Sequence, residues 1–291
     1  LALTAGRGVP VAAQAPDRSK PPVAGPVRPL RLAAPQKHTL PNGLRVWVLE
    51  QHEVPLAQLN LVVLSGASAD PAGRYGVGAF TAAMLDEGAG GRSALALADE
   101  VEFLGAQLSI QTGFDASTLR LSVPVARLDA ALSLMADMAI RPDFPQAEVE
   151  RLRAERLTAL LQARDDPAAI MSLAFPRLLF GPSHRYGTSA TGTEAVLKAL
   201  TVDDLRAVHR AQFRPDNAVL LAVGDLTAAS ALPLITRAFG EWKADGPAPA
   251  IAPVPAAPQR TKREVFLVDK PGAPQSQIRI GWVGVARSTP D

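Results

Sequence analysis

The chain has 291 residues, of which 47% are hydrophobic, 20% charged and 5% aromatic, and its formal net charge is +2. That balance fits one large folded domain, or a domain and part of another, and excludes a disordered chain. The small charge excludes an electrostatic nucleic-acid binder, the lack of a run of about 18 apolar residues excludes a membrane-spanning helix, and the absence of cysteine excludes disulfides and thiolate catalysis.

Residues 1–36 hold seven prolines and no periodic pattern, so they read as a Pro/Ala-rich arm. Ala13-Gln14-Ala15 has the small-x-small form of a signal-peptide end, with Pro16 directly after it, and export to the periplasm is the expectation. A folded domain is expected over 37–245. It opens with the Pro41-Asn42-Gly43 turn, a strand at Leu44–Leu49 and a second at Gln58–Leu64, closed by Gly66. Residues 76–86 read as a helix with Val77, Phe80 and Met84 on one face. Ser93 is a good N-cap for the next helix, which carries Leu97, Val101 and Leu104. Gln107–Gln111 and Ser117–Val123 form a hairpin pattern around Gly113-Phe114-Asp115. Helices follow at 127–140, 146–164, 167–179, 193–200 and 202–212, then a strand at Ala218–Val223 and a helix at Ala228–Phe239. The order is not the regular strand-helix alternation of a parallel sheet, so we expect an α+β domain, a largely antiparallel sheet covered by helices.

Residues 246–263 read as a stiff proline-rich linker. Strand patterns restart at Val265–Val268 and Gln277–Val283. The second resembles Gln58–Leu64 in its order of polar and apolar residues, which suggests that 264–291 begins a repeated domain.

The chemistry-bearing residues are sparse. His38, His52, His184 and His209 are far apart in sequence and lack ligand spacing. No G-x-S-x-G elbow exists, and Gly88-Ala89-Gly90-Gly91 lacks the Lys-Ser/Thr of a phosphate loop, so it reads as a flexible turn. Asp86-Glu87 is the best remaining acidic pair and reads as a helix end meeting Gly88. Arg151, Arg153 and Arg156 alternate with Glu148, Glu150 and Glu155 and read as a solvated helix face. His184, in the Gly181–Gly187 loop, reads as structural.

Several segments in order resemble the insulinase-type (pitrilysin-like) zinc peptidases: Leu40-Pro41-Asn42-Gly43-Leu44, Gly66-Ala67-Ser68, Gly76-Val77 opening a helix, Gly181–Gly187, Asn217 after Arg214-Pro215, Val223-Gly224-Asp225, and Pro271–Ser276. The resemblance covers about residues 38–291. Active members bind zinc through an inverted H-x-x-E-H motif on the helix after Gly76, with the glutamate as general base and a further glutamate about 76 residues on as third ligand. Laid on this chain, the histidines fall on Ala79 and Ala83, the general base on Ala82 and the third ligand on Ala159. Alanine has no lone pair for a metal and no proton to exchange. The resemblance therefore implies a non-catalytic member with no metal of its own. Ala79, Ala82, Ala83 and Asp86 have the spacing of one helical face, and we expect a second helix carrying Ala159 to pack closely on that methyl surface, filling the site as core. The resemblance also implies a peptide-binding strand at Leu108-Ser109-Ile110-Gln111-Thr112, where a substrate pairs by β-augmentation. It implies a partner, too: an active subunit that carries the zinc. A structural or assembly protein with no role in proteolysis is the alternative.

Overall fold

The computed structural model describes residues 33–247 and 254–286, with positions 25 and 289 in isolation. The arm before residue 33 with its candidate cleavage site, the middle of the linker at 248–253 and most of the last five positions lie outside the described residues. From Ala34 onward the chain forms one unit.

The strands are β1 (Gln36–Thr39), β2 (Arg45–Glu50) and β3 (Leu56–Val63). A seven-residue helix, α1 (Val77–Ala83), leads to the two-residue strands β4 (Gly88–Ala89) and β5 (Arg92–Ser93). Then come α2 (Ala94–Phe103), the hairpin β6 (Gln107–Thr112) and β7 (Ser117–Pro124), and the helices α3 (Leu128–Ile140), α4 (Gln146–Ala163), α5 (Pro167–Phe180), α6 (Glu194–Ala199) and α7 (Val202–Gln212). β8 (Ala218–Gly224) and α8 (Ala228–Phe239) close the series.

Six strands form one sheet in the order β1-β2-β8-β3-β7-β6. Every neighbouring pair is antiparallel except β2 with β8. The period-two alternation of the sequence fixes the register, because a slip of one residue would turn the apolar set to the wrong face. Val46, Leu220, Leu61 and Leu119 lie in one row across the sheet, and Val48, Ala222, Leu59 and Leu121 in the next. All eight are essentially without exposed surface. The helices α1, α3 and α8 pack beside β6, β7 and β2, with α7 against α1. Phe80 and Met84 are fully buried, and each such side chain contributes about 1.5–3 kcal/mol through burial.

The helix starts follow local chemistry. The Ser93 hydroxyl accepts from the Ala96 N–H, and Thr201 forms a reciprocal capping box with Asp204. α1 has no such side chain next to it. Its cap position is Gly76, at φ 102°, and the carboxylate of Asp70 supplies the acceptors instead. The Gly76 N–H donates to Asp70 Oδ2 at 2.6 Å, and the Gly78 N–H to Oδ1 at 2.8 Å. A Cβ on Gly76 would lie 2.4 Å from the Gly192 Cα, so only glycine lets these two loops cross.

Four expectations need correction. β1 begins at Gln36, inside the expected arm, because it pairs with β2 from Gln36↔Val48 to Thr39↔Arg45. The helix expected over 76–86 stops at Ala83, so Asp86 is not on its face; the Leu85 N–H bonds to the Ala82 carbonyl and ends the α-helical ladder. Gly88–Gly91 is an ordered hairpin. Gly90 and Gly91 take φ 59° and 77°, the pair of positive values that a two-residue turn needs. Val265–Val268 and Gln277–Val283 form no strand. A strand needs a partner for its backbone groups, and among the described residues these segments have none.

Candidate functional site

The face of α1 that carries Ala79 and Ala83 is only half-buried, and Ala82 alone of the three sits in the core. Ala159, on α4, is exposed. The expected close packing of α4 on a methyl surface is therefore not what joins the two helices. On α4, Val149 and Leu152 are buried, and the same stripe continues through Arg156 to Ala159. It is Arg156 that reaches α1. Its Nη2 donates to the Ala79 carbonyl at 3.0 Å, and its guanidinium lies 4.9 Å from the centre of the Phe80 ring. Burial pushes the Arg156 pKa down, with Glu155 opposing, and its Nη1 is buried without a hydrogen-bond partner.

The other two arginines of the supposed solvated face are tethers as well. Arg151 pairs with Glu87, just beyond α1, and with Glu148 at 2.6 Å. Arg153 donates to the carbonyls of Leu197 and, at 2.7 Å, Leu200, at the C-terminal end of α6. Val149 and Leu152 are the buried residues of this 18-residue helix, and Leu157 and Leu160 pack half-buried against the core; the guanidinium contacts add to that apolar packing. The interleaved glutamates hid this in the sequence. The available signal was Arg156 itself, a cation lying in step with Val149 and Leu152.

Behind α1, Arg185 organises a second buried cluster. It donates to the Ala67 carbonyl, lies 3.4 Å from Asp70 Oδ2 and stacks 4.0 Å from the Tyr75 ring centre. Burial pushes the Asp70 carboxyl up, while the Gly76 and Gly78 N–H groups and Arg185 pull it down. These groups fix the entry to α1.

The four histidines stay apart. His184 is buried; its Nδ1 accepts from the Tyr186 N–H and its Nε2 bonds to the Pro255 carbonyl at 2.9 Å, which fastens the linker near its midpoint. His209 is buried against Phe213 and Phe144, with Nε2 2.9 Å from the Ala139 carbonyl, and burial lowers its pKa. His52 is exposed and bonds Asp225 at 2.7 Å, a contact that raises its pKa. Among the described residues no three His, Asp or Glu side chains are grouped to hold a metal ion. Zinc does not fit the mapped positions on chemical grounds. They present methyl groups, and the nearby Arg156 guanidinium repels a dication.

β6, with Leu108, Ser109, Ile110, Gln111 and Thr112, is an edge of the sheet. Its N–H and C=O groups on the side away from β7 have no backbone partner among the described residues. α1 lies alongside it. Leu108, Ile110 and Thr112 are half-buried, and Ser109 and Gln111 exposed.

The six-stranded, mostly antiparallel sheet with α1 beside an open edge is the architecture of solved peptidase-like M16 domains. The sequence matches the profile "Insulinase (Peptidase family M16)" over residues 45–174 and "Peptidase M16 inactive domain" over 199–291. The chain belongs to this family. An uncharacterized zinc protease of Mycobacterium tuberculosis is 26% identical over 232 residues, covering 80% of this chain and 52% of the relative. The crystal structure of a peptidase M16 inactive domain from Pseudomonas fluorescens superposes with a TM-score of 0.72 at 27% identity, over 78% of this chain and 54% of that one. The periplasmic protease PqqL of Escherichia coli shares the fold, with a TM-score of 0.70 at 20% identity, over 79% of this chain and 26% of its own. The chain spans about half the length of the curated relatives it matches first.

Proposed function

We propose that this chain is a non-catalytic subunit of M16 type that pairs with an active zinc peptidase subunit and supplies one wall of a peptide-binding chamber. The observation that carries this reading is alanine at all four positions where the family's ligands and general base fall, Ala79, Ala82, Ala83 and Ala159, with the Arg156 guanidinium beside the first. In this reading the zinc belongs to the partner, and this chain takes part without a cofactor. Peptide contact is assigned to Leu108–Thr112, because an open edge offers backbone pairing that needs no metal. Residues 37–245 form the first peptidase-like domain and 264–291 the start of a second, joined by the 246–263 linker. The exposed Val265, Leu267, Ile278 and Ile280 support that division, since such residues are usually covered.

We further propose export to the periplasm. The support is Ala13-Gln14-Ala15 and the likeness to a periplasmic protease. No described helix is long and apolar enough to cross a membrane.

The test is peptidase activity and zinc content, measured on the chain alone and mixed with a zinc-bearing M16 subunit from the same organism. We expect no zinc and no cleavage alone, and cleavage above the partner's own level on mixing. Stoichiometric zinc with cleavage by this chain alone overturns the proposal. Stable association with a membrane complex, with no effect on cleavage, replaces it with a structural or assembly role.

A further inference from the structure

Register across the sheet puts one unpaired cation beside the edge that the preceding reading gives to peptide, and the inference rests on that reading. On the face opposite the core, Trp47 aligns with Leu221, Leu221 with Asn60, Asn60 with Arg120 and Arg120 with Ser109. Arg120 is exposed and enters no ion pair among the described residues. Its neighbours on the same strand and face, Thr118 and Ser122, are uncharged, as are Gln107 and Gln111 on β6.

A peptide strand added to β6 presents the side chain opposite Ser109 on this same face. Two strand spacings, about 10 Å, then separate its Cα from that of Arg120. Only the small Ser109 side chain stands between them. A long guanidinium side chain and a carboxylate side chain can lean toward each other across that gap, whereas a lysine or arginine in the peptide meets a like charge.

We propose that Arg120 is a specificity residue of the β6 edge, selecting extended peptides that carry Asp or Glu at the position paired with Ser109. The interaction is solvent-exposed, so its effect is modest: about two- to fivefold in affinity, and weakened by salt.

The experiment measures fluorescence anisotropy of the full 291-residue chain with short rhodamine-labelled peptides of Ser, Thr, Val and Gln. A single Asp, Asn or Lys is walked through the central positions. At low salt we expect one position where Asp binds more tightly than Asn and Lys more weakly. The preference shrinks at high salt, disappears in Arg120→Gln and is partly kept in Arg120→Lys, while the Asn peptide binds all three proteins alike. Equal affinity for Asp and Asn peptides at every position, or a preference that survives Arg120→Gln, overturns the role of Arg120 and leaves the β6 reading standing. Failure of every peptide to bind removes the β6 reading, and this inference with it.

Discussion

Arg156 touches α1 in three ways that have different energetic consequences. Its hydrogen bond to Ala79 and its place over the Phe80 ring favour the pairing of α1 and α4. Its desolvated charge, with one Nη lacking a partner, opposes it. Arg156→Met keeps most of the aliphatic stem while removing both the favourable and the costly part of the charge. We expect its unfolding free energy to lie within about 1 kcal/mol of the parent. Arg156→Ala also uncovers Phe80 and should cost about 1–2 kcal/mol more. Urea unfolding of the two variants separates these effects, and equal losses would mean that the charge, not the stem, holds the helices. His209 makes a second prediction at this scale. Burial lowers its folded pKa, and Arg210 adds to that effect. The unfolded chain therefore binds this proton more readily than the folded one, so stability is lost as pH falls from the unfolded pKa toward the folded one. His209→Gln removes that proton, and its unfolding free energy should fall less between neutral pH and pH 5 than that of the parent.

At the scale of elements, most of the fold was legible because local chemistry and tertiary packing agree. Ser93 and Thr201 cap the helices they precede, and the alternation in β3 matches its buried face. What escaped the sequence depended on distant partners. β1 has little apolar character and forms because β2 offers it an edge. The capping of α1 comes from Asp70, outside the reach of a local motif. α4 reads as a charged surface helix because alternating Arg and Glu is the pattern of one, yet two of its arginines reach backbone carbonyls of α1 and α6. The alanines at the mapped positions were legible only through the family resemblance, since an alanine by itself signals nothing. The half-buried setting of Ala79 and Ala83, the exposure of Ala159, and the arginine that joins α1 to α4 in place of a methyl contact required the fold.

At the scale of the molecule, the stretch 254–286 behaves unlike the rest. It is anchored by polar contacts: His184 to Pro255, Lys270 to Asp165 at 2.7 Å, and the Arg279 guanidinium 5.7 Å from the Phe175 ring centre. Its apolar side chains are left outside, with Leu267 95%, Ile280 87% and Trp282 79% exposed. It passes close to α5, and α5 itself has apolar residues throughout with none fully buried. Two partly uncovered apolar segments close together exceed what a monomeric surface usually carries. The 291-residue chain should therefore bind a hydrophobic dye such as ANS in its native state, well below its unfolding transition. A version ending at residue 263 keeps the sheet and the eight helices of the described residues and should bind less of the dye, because Val265, Leu267, Ile278, Ile280 and Trp282 are gone. If dye binding is unchanged, α5 rather than the following stretch is the sticky surface, and substituting its exposed Leu173 by Glu becomes the variant that lowers it.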